Sequence, residues 1–76
     1  VKQGKVNLDK YKKLDGVWRD LGIAAPARRG LVDNRIIKTS DLAKLTELEV
    51  TEIHGIGENA MRIIRAEMRK QGLRFR

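Results

Sequence analysis

The stretch Ile-His-Gly-Ile-Gly-Glu-Asn-Ala, residues 53–60, constrains the fold of this 76-residue chain more than any other. Gly55 and Gly57 predict a tight turn, because glycine adopts positive φ and admits a close backbone neighbour. An acidic amphipathic run precedes the turn and a long basic run follows it, so we predict a turn between two helices. Ile56 is expected to fill the crevice between these helices, and Ala60 to let them approach closely.

The start of the second helix has the properties of an anion site. The first backbone N–H groups of a helix have no partner inside it and lie at the positive end of its dipole. Around Gly57, Glu58 and Asn59 these groups are predicted to face outward, and phosphate is the anion that such sites usually bind. A plain helical hairpin is the alternative, because glycine turns of this kind also serve in packing.

The charge of the chain favours nucleic acid as the source of that phosphate. Seventeen Lys and Arg against ten Asp and Glu give a net charge of +7. A domain this basic is expected near nucleic acid or, less often, near an anionic membrane. Residues 1–38 carry a net charge of +6, whereas residues 41–58 carry −4. In a DNA complex, the helix before the turn must therefore direct its acidic side chains away from the DNA.

Composition excludes several classes of protein. The chain has no cysteine, hence no disulfide framework and no thiolate metal site, and a reducing, cytoplasmic setting is expected. No apolar run approaches the length that spans a membrane, so no membrane partner is expected. Seventy-six residues make one small domain, which we expect to be a monomer.

Apolar periodicity predicts an all-α fold, a compact bundle of about five short helices without a strand. The predicted helices span residues 8–14, 26–33, 41–45, 47–53 and 58–71, with a further helical turn over 16–21. Trp18, the one tryptophan, is expected to belong to the core. Residues 1–22 are interpreted as an N-terminal extension whose short helix packs on the core, and residues 23–76 as the main domain.

Capping signals mark the ends of these helices. Ser40 is a predicted N-cap, and Thr46 with Glu49 forms a predicted capping box for the helix before the turn. Asn34 is expected to take the left-handed conformation after the second long helix, and Gly72 after the last. The expected inward residues are Leu48, Val50 and Ile53 before the glycines and Ala60, Ile63, Ile64 and Met68 after them.

The string Ile53-His54-Gly55-Ile56-Gly57, followed by Ala60 and Ile63, resembles the helix-hairpin-helix motif. In that family the amides of the hairpin hold a backbone phosphate of a nucleic acid, largely without reading its sequence. The resemblance implies that the hairpin contributes Gly55 and Gly57 to a DNA-binding site.

A longer resemblance covers roughly residues 23–75. In order and spacing this part of the chain is similar to the C-terminal domain of the bacterial RNA polymerase α subunit. It is more closely similar to small prokaryotic proteins that share that SAM-like fold. The strings that carry the similarity are Ala25-Pro26-Ala27-Arg28-Arg29-Gly30-Leu31, Ile37-x-Thr39-Ser40-Asp41-Leu42, Leu45-Thr46-x-x-Glu49, His54-Gly55-Ile56-Gly57 and Gln71-Gly72-Leu73.

The polymerase domain grips the DNA minor groove with the helix that matches residues 26–31, with the hairpin, and with the start of the helix after it. Carried across, Arg29 falls on a DNA-contacting position and Asn59 on one that a lysine usually occupies. This chain departs from the pattern near Pro26, where the polymerase domain has its key arginine, and at Glu58 and Asn59, which replace a basic pair. The resemblance therefore implies a generic grip on the DNA backbone rather than promoter recognition.

We predict a non-enzymatic protein that binds double-stranded DNA through backbone phosphates, with no cofactor and no metal. The residues expected to contact DNA are Arg28, Arg29, Gly55, Gly57, Asn59, Arg62 and Arg65. Contacts to phosphates position a protein without reading sequence, and they weaken steeply with salt. Catalysis is not expected, because a nucleophile and its base would require the only serine, Ser40, beside the only histidine, His54.

Other interpretations stay open. A protein-interaction module would dock a partner through the acidic helix 47–53 or the N-terminal extension, and would expose an apolar patch such as Trp18 with Tyr11. Structured RNA is a third candidate ligand, which competition between duplex DNA and RNA would distinguish. The arginines at 62 and 65 could also form a solvated face that pairs with acids such as Glu58.

Overall fold

The computed structural model describes residues 8–76, so the first seven residues of the predicted N-terminal extension lie outside the described part. Residues 8–76 form six helices and no strand, which confirms the prediction of an all-α fold. The helices are α1 (Leu8–Leu14), α2 (Gly16–Asp20), α3 (Ala25–Asp33), α4 (Thr39–Leu42), α5 (Glu47–Thr51) and α6 (Glu58–Gln71).

Helices α2 to α6 all contribute side chains to one hydrophobic core. Trp18 of α2 is fully buried, as predicted. Its indole N–H donates to the backbone oxygen of Ile36 at 2.8 Å, which satisfies the one polar group of the ring. Because Trp18 lies in the core, it cannot form the exposed patch with Tyr11 that an interaction module was expected to show.

Helix α3 ends at Asp33, as predicted, but the left-handed residue that follows it is not the predicted one. Asn34, the predicted left-handed residue, has φ −98°, and Arg35 takes the left-handed conformation with φ 63°. The side-chain amide of Asn34 donates to the backbone oxygen of Gly30 at 2.8 Å, and its backbone N–H bonds to the last turn of α3. These bonds hold Asn34 against the last turn of the helix, so Arg35 rather than Asn34 takes the left-handed conformation.

Helix α4 is capped by a carboxylate rather than by the predicted Ser40. Ser40 lies inside α4 and is exposed. A side-chain oxygen of Asp41 accepts the backbone N–H groups of Ile37 and Lys38 at 3.0 and 3.2 Å. Since these bonds fix the chain before Thr39, the helix begins earlier than position 41, where the sequence signal predicted it.

Helix α5 begins with the predicted capping box. The Thr46 hydroxyl accepts the Glu49 backbone N–H at 3.1 Å, and the Glu49 carboxylate accepts the Thr46 backbone N–H at 2.8 Å. Val50 is fully buried, but the prediction that Leu48 also faces the core is wrong, since it is 66% exposed. Residues two apart on a helix lie about 200° apart around its axis, so one short helix cannot bury both.

The two capping carboxylates, Asp41 and Glu49, are expected to make the free energy of unfolding fall at low pH. The backbone N–H of Ile37 lowers the pKa of Asp41, and the backbone N–H of Thr46 lowers the pKa of Glu49. A lowered folded-state pKa adds stability that is complete above the ordinary carboxyl pKa and is lost as the pH falls through the folded value. We therefore expect the free energy of unfolding to drop below about pH 5.

The measurement is urea unfolding at a series of pH values for the wild type and for the double variant Asp41→Asn/Glu49→Gln. Because these amides do not titrate, the double variant should lose less stability than the wild type between neutral and acid pH. Parallel loss in the two proteins would show that other carboxyl groups account for the acid sensitivity.

Helix α6 is the longest element and ends at Gly72, as predicted. Gly72 has φ 73°, and the N–H of Leu73 donates to the backbone oxygen of Met68 at 2.8 Å, the bond of a Schellman motif. The buried face contains Met61, which the sequence analysis missed, whereas the predicted Ile63 is partly buried. The buried residues of α6 are Ala60, Met61, Ile64 and Met68.

Candidate functional site

Residues 52–57, here called the glycine turn, join α5 to α6. Gly55 has φ 96°, which confirms the predicted positive φ at that position. Gly57 has φ −112° and ψ −173°, an extended conformation that any residue adopts, so the same prediction is wrong there. Ile56 is partly buried and packs against the core. The two glycines of the turn therefore serve different purposes.

Position 55 must be glycine because the glycine turn lies very close to the backbone of α3. A Cβ atom added to Gly55 would lie 2.4 Å from the backbone oxygen of Pro26. A second close approach lies beside it, since a Cβ atom on Gly30 would lie 2.5 Å from the backbone oxygen of His54. Both distances are too short for any side chain, so these two glycines let the backbones of α3 and the glycine turn touch.

Gly57, by contrast, has open space around it. No atom lies within 4 Å of a Cβ built on this residue, apart from its chain neighbours. Gly57 occupies the N-cap position of α6, and no side chain within residues 8–76 caps that end. The first N–H groups of a 14-residue helix are therefore accessible to an anion.

The predicted residues of α6 differ in how freely they could meet a ligand. Asn59 and Arg62 are exposed and joined, because a guanidinium N–H of Arg62 donates to the Asn59 side-chain oxygen. Arg65 is held by two carboxylates, with its Nε 2.6 Å from Glu47 Oε2 and its Nη1 3.3 Å from Glu58 Oε2. The hydrogen bond to Glu47 and then that to Glu58 raise the pKa of Arg65.

These ion pairs also matter for the anion site itself. Glu58 is the first residue of α6, and a free carboxylate there would repel a phosphate. Its pairing with Arg65 offsets that charge. Of the two arginines that could pair with Glu58 in the alternative interpretation, Arg65 does so, whereas Arg62 bonds to Asn59.

The two arginines of α3 lie in different surroundings. Arg29 lines a groove of about 350 Å³ between α3 and the glycine turn, which also includes His54. Arg28 bonds to Asp15 and to the backbone oxygen of Ile23 at 2.9 and 2.7 Å. Its side chain is only 24% exposed, so Arg28 is less available to a DNA phosphate than its predicted role requires.

The structure thus brings Arg29 to the same face of α3 as the glycine turn, and it places Asn59 and Arg62 on the first turns of α6. Arg28 and Arg65 are engaged by carboxylates. Sequence analysis missed a second basic surface, lined in part by Lys12 and Arg19 and described below. The four-residue spacing of Asp15 and Arg19 was the available signal for an ion pair there.

Among residues 8–76, no group of three or more acidic, histidine or cysteine side chains is placed to hold a metal ion. None of the six helices that the structure describes combines the length and apolar character needed to cross a bilayer. Comparisons with protein-family models, with curated proteins and with solved structures found no match.

Proposed function

We propose that this chain is a helix-hairpin-helix domain that binds double-stranded DNA through its backbone phosphates, without enzymatic activity. In this proposal α5, the glycine turn and α6 form the motif, within a bundle like the C-terminal domain of the polymerase α subunit. The observation that carries it is the open N-terminus of α6 at Gly57, where accessible N–H groups meet the positive end of a long helix.

The surrounding side chains support the same role. Arg29 stands on the α3 side of the glycine turn, and Arg62 lies about one turn into α6. No carboxylate partner of either arginine appears among the described residues, so both remain able to pair with phosphate. Asn59 adds a polar side chain at the start of α6. Arg28 and Arg65 must first exchange a carboxylate for a phosphate, so we assign them weaker contacts.

The protein's charge distribution suits a backbone contact. The basic excess is concentrated in residues 1–38, which include α3. On α5, Glu47 pairs with Arg65 and Glu49 belongs to the capping box, which reduces the acidic charge that DNA would meet. In this proposal the domain acts in the cytoplasm as a monomer, and it holds DNA without reading base sequence.

The test is titration of a labelled mixed-sequence duplex with the wild type and with Gly57→Val, at about 50 and 200 mM salt. An added Cβ meets no atom within 4 Å at Gly57 and the backbone there is extended, so we expect valine to keep the fold while it keeps the phosphate away from the amides. Since a hydrogen bond to a charged group contributes about 1.5–3 kcal/mol, we expect affinity to fall about tenfold to a hundredfold. The wild type should weaken steeply between the two salt concentrations.

Gly16→Val is the matched control. Gly16 also lacks positive φ, and the nearest atom to an added Cβ is the end of the flexible Arg19 side chain at 3.9 Å. It should bind DNA as the wild type does, with circular dichroism confirming that all three proteins are folded. Equal affinity of the wild type and a folded Gly57→Val would contradict the proposed phosphate site. If duplex RNA displaces DNA in competition, the ligand is RNA rather than DNA.

One observation favours the alternative of a protein-interaction module. Leu48 is 66% exposed on α5, beside Glu47 and Glu49, so it is the apolar side chain that the acidic helix would offer to a partner. If the wild type binds no DNA even at low salt, we infer that α5 docks a protein partner, and Leu48→Asp becomes the variant expected to abolish that contact.

A further inference from the structure

A cleft of about 440 Å³ lies between α1, α2 and the start of α3. It is lined by Tyr11, Lys12, Asp15, Arg19, Ala25, Arg28 and Arg29, and is here called the basic cleft. Four of these seven residues are cations and one is an acid. Their charges sum to +3 in a space large enough for a small anionic group.

The acid of the basic cleft fixes two of its arginines. Asp15 is only 4% exposed, and its two carboxylate oxygens accept hydrogen bonds from Arg19 at 2.6 Å and Arg28 at 2.9 Å. Arg28 also donates to the backbone oxygen of Ile23. Each guanidinium carries five N–H donors, so both arginines keep donors beyond those that these bonds use. Two guanidinium groups held in place lose less conformational entropy on binding an anion than mobile ones do.

The other two cations of the cleft have no carboxylate partner among the side chains of residues 10–76. Lys12 is exposed on α1, and Arg29 lies with its guanidinium carbon 6.0 Å from the centre of the Tyr11 ring. Tyr11 itself is fixed by a 2.7 Å hydrogen bond from its hydroxyl to Asp33. The cleft thus offers two fixed guanidinium groups and two unpaired cations around one opening.

We propose that the basic cleft binds a phosphate group at a second site, which shares Arg28 and Arg29 with the proposed DNA-binding surface but not the amides of the glycine turn. Guanidinium groups match the oxygens of phosphate with paired hydrogen bonds, and a lysine adds a point charge. The phosphate has two possible sources, a soluble polyphosphate compound or the backbone of DNA. The start of α3 separates the two sites, since Ala25 lines the cleft and Pro26 contacts the glycine turn.

The first experiment uses inorganic tripolyphosphate, followed by amide NMR of the wild type and of Lys12→Gln/Arg19→Gln. Both substitutions remove charge from the basic cleft alone, and Arg28 still holds Asp15. We expect saturable shifts at residues 12–28 in the wild type and affinity at least about tenfold lower in the double variant. Arg69→Gln/Lys70→Gln on α6 removes the same charge elsewhere, and it should change affinity less than twofold.

The proposal is overturned if the wild type shows no saturable shifts, or if the α6 control loses as much affinity as the cleft variant. The second experiment identifies the source by titrating the same three proteins with the DNA duplex. If the cleft binds the DNA backbone, Lys12→Gln/Arg19→Gln should bind DNA more weakly than the wild type. The slope of its affinity against salt should also fall by about one phosphate contact per cation removed. A soluble compound predicts unchanged DNA binding together with lost tripolyphosphate binding.

The outcomes separate this proposal from the proposed function. If the domain does not bind DNA at all, tripolyphosphate still tests the cleft. If the cleft binds nothing, Gly57→Val still tests the glycine turn, because neither Lys12 nor Arg19 belongs to that site.

Discussion

Replacing Gly55 with alanine is expected to remove a large part of the protein's free energy of unfolding. The new methyl carbon would lie 2.4 Å from the Pro26 backbone oxygen and 2.9 Å from its carbonyl carbon. The substitution also places a side chain at φ 96°, which costs about 1–3 kcal/mol by itself. Backbone atoms cannot turn aside as a side chain does, so α3 and the glycine turn must separate and expose the core between them.

The expected loss of about 4 kcal/mol or more compares with a total stability of about 4–11 kcal/mol for a domain of this size. Urea unfolding followed by circular dichroism measures it. Gly57→Ala is the control, because it makes the same change two residues away in open space, and it should shift the free energy of unfolding by less than about 1 kcal/mol. Similar stability of the two variants would mean that the close approach of α3 is relieved at little cost.

Replacing Trp18 with alanine is the second change with a large expected effect. Trp18 is fully buried, and removing a large aromatic side chain from a core costs about 3–5 kcal/mol. The change also leaves the backbone oxygen of Ile36 without its indole donor. Since that bond connects α2 to the loop after α3, we expect loss of cooperative unfolding as well as lower stability.

Circular dichroism is the suitable measurement, because the variant lacks the only tryptophan. Trp18→Phe separates the two contributions, since it keeps an aromatic ring but removes the donor, and it should cost about 1–3 kcal/mol. Leu48→Ala is the control for loss of an exposed apolar side chain and should change stability by less than about 0.5 kcal/mol. A stable Trp18→Ala would show that the core does not depend on the packing of α2.

Many features that depend on neighbouring residues were predictable from sequence, although the predicted Ser40 cap and left-handed Asn34 are wrong. The capping box of Thr46 and Glu49, the left-handed Gly72 and the breaks between helices all follow from local backbone bonding. Burial of Trp18 was also predictable, because a chain with three aromatic residues has few alternatives for its core. Such signals lie within a few residues of the bond that they describe.

Features that depend on distant contacts were not predictable. Gly55 and Gly57 look equivalent in the sequence, and only the position of Pro26 makes one a packing residue and leaves the other open. Arg28 looked as exposed as Arg29 because its partner, Asp15, lies thirteen residues away, between α1 and α2. The position of the candidate site therefore follows from the glycines of its turn. Which arginines are free to bind a ligand follows only from the contacts of the folded chain.

The contact between α3 and the glycine turn also limits how this sequence can evolve. Where a large side chain meets another side chain, growth of one can be compensated by shrinkage of the other. Gly30 and Gly55 instead face main-chain oxygens of His54 and Pro26, and every amino acid carries that oxygen. No second substitution at the facing position makes room, so in related sequences these two positions should stay glycine while the surface around them diverges.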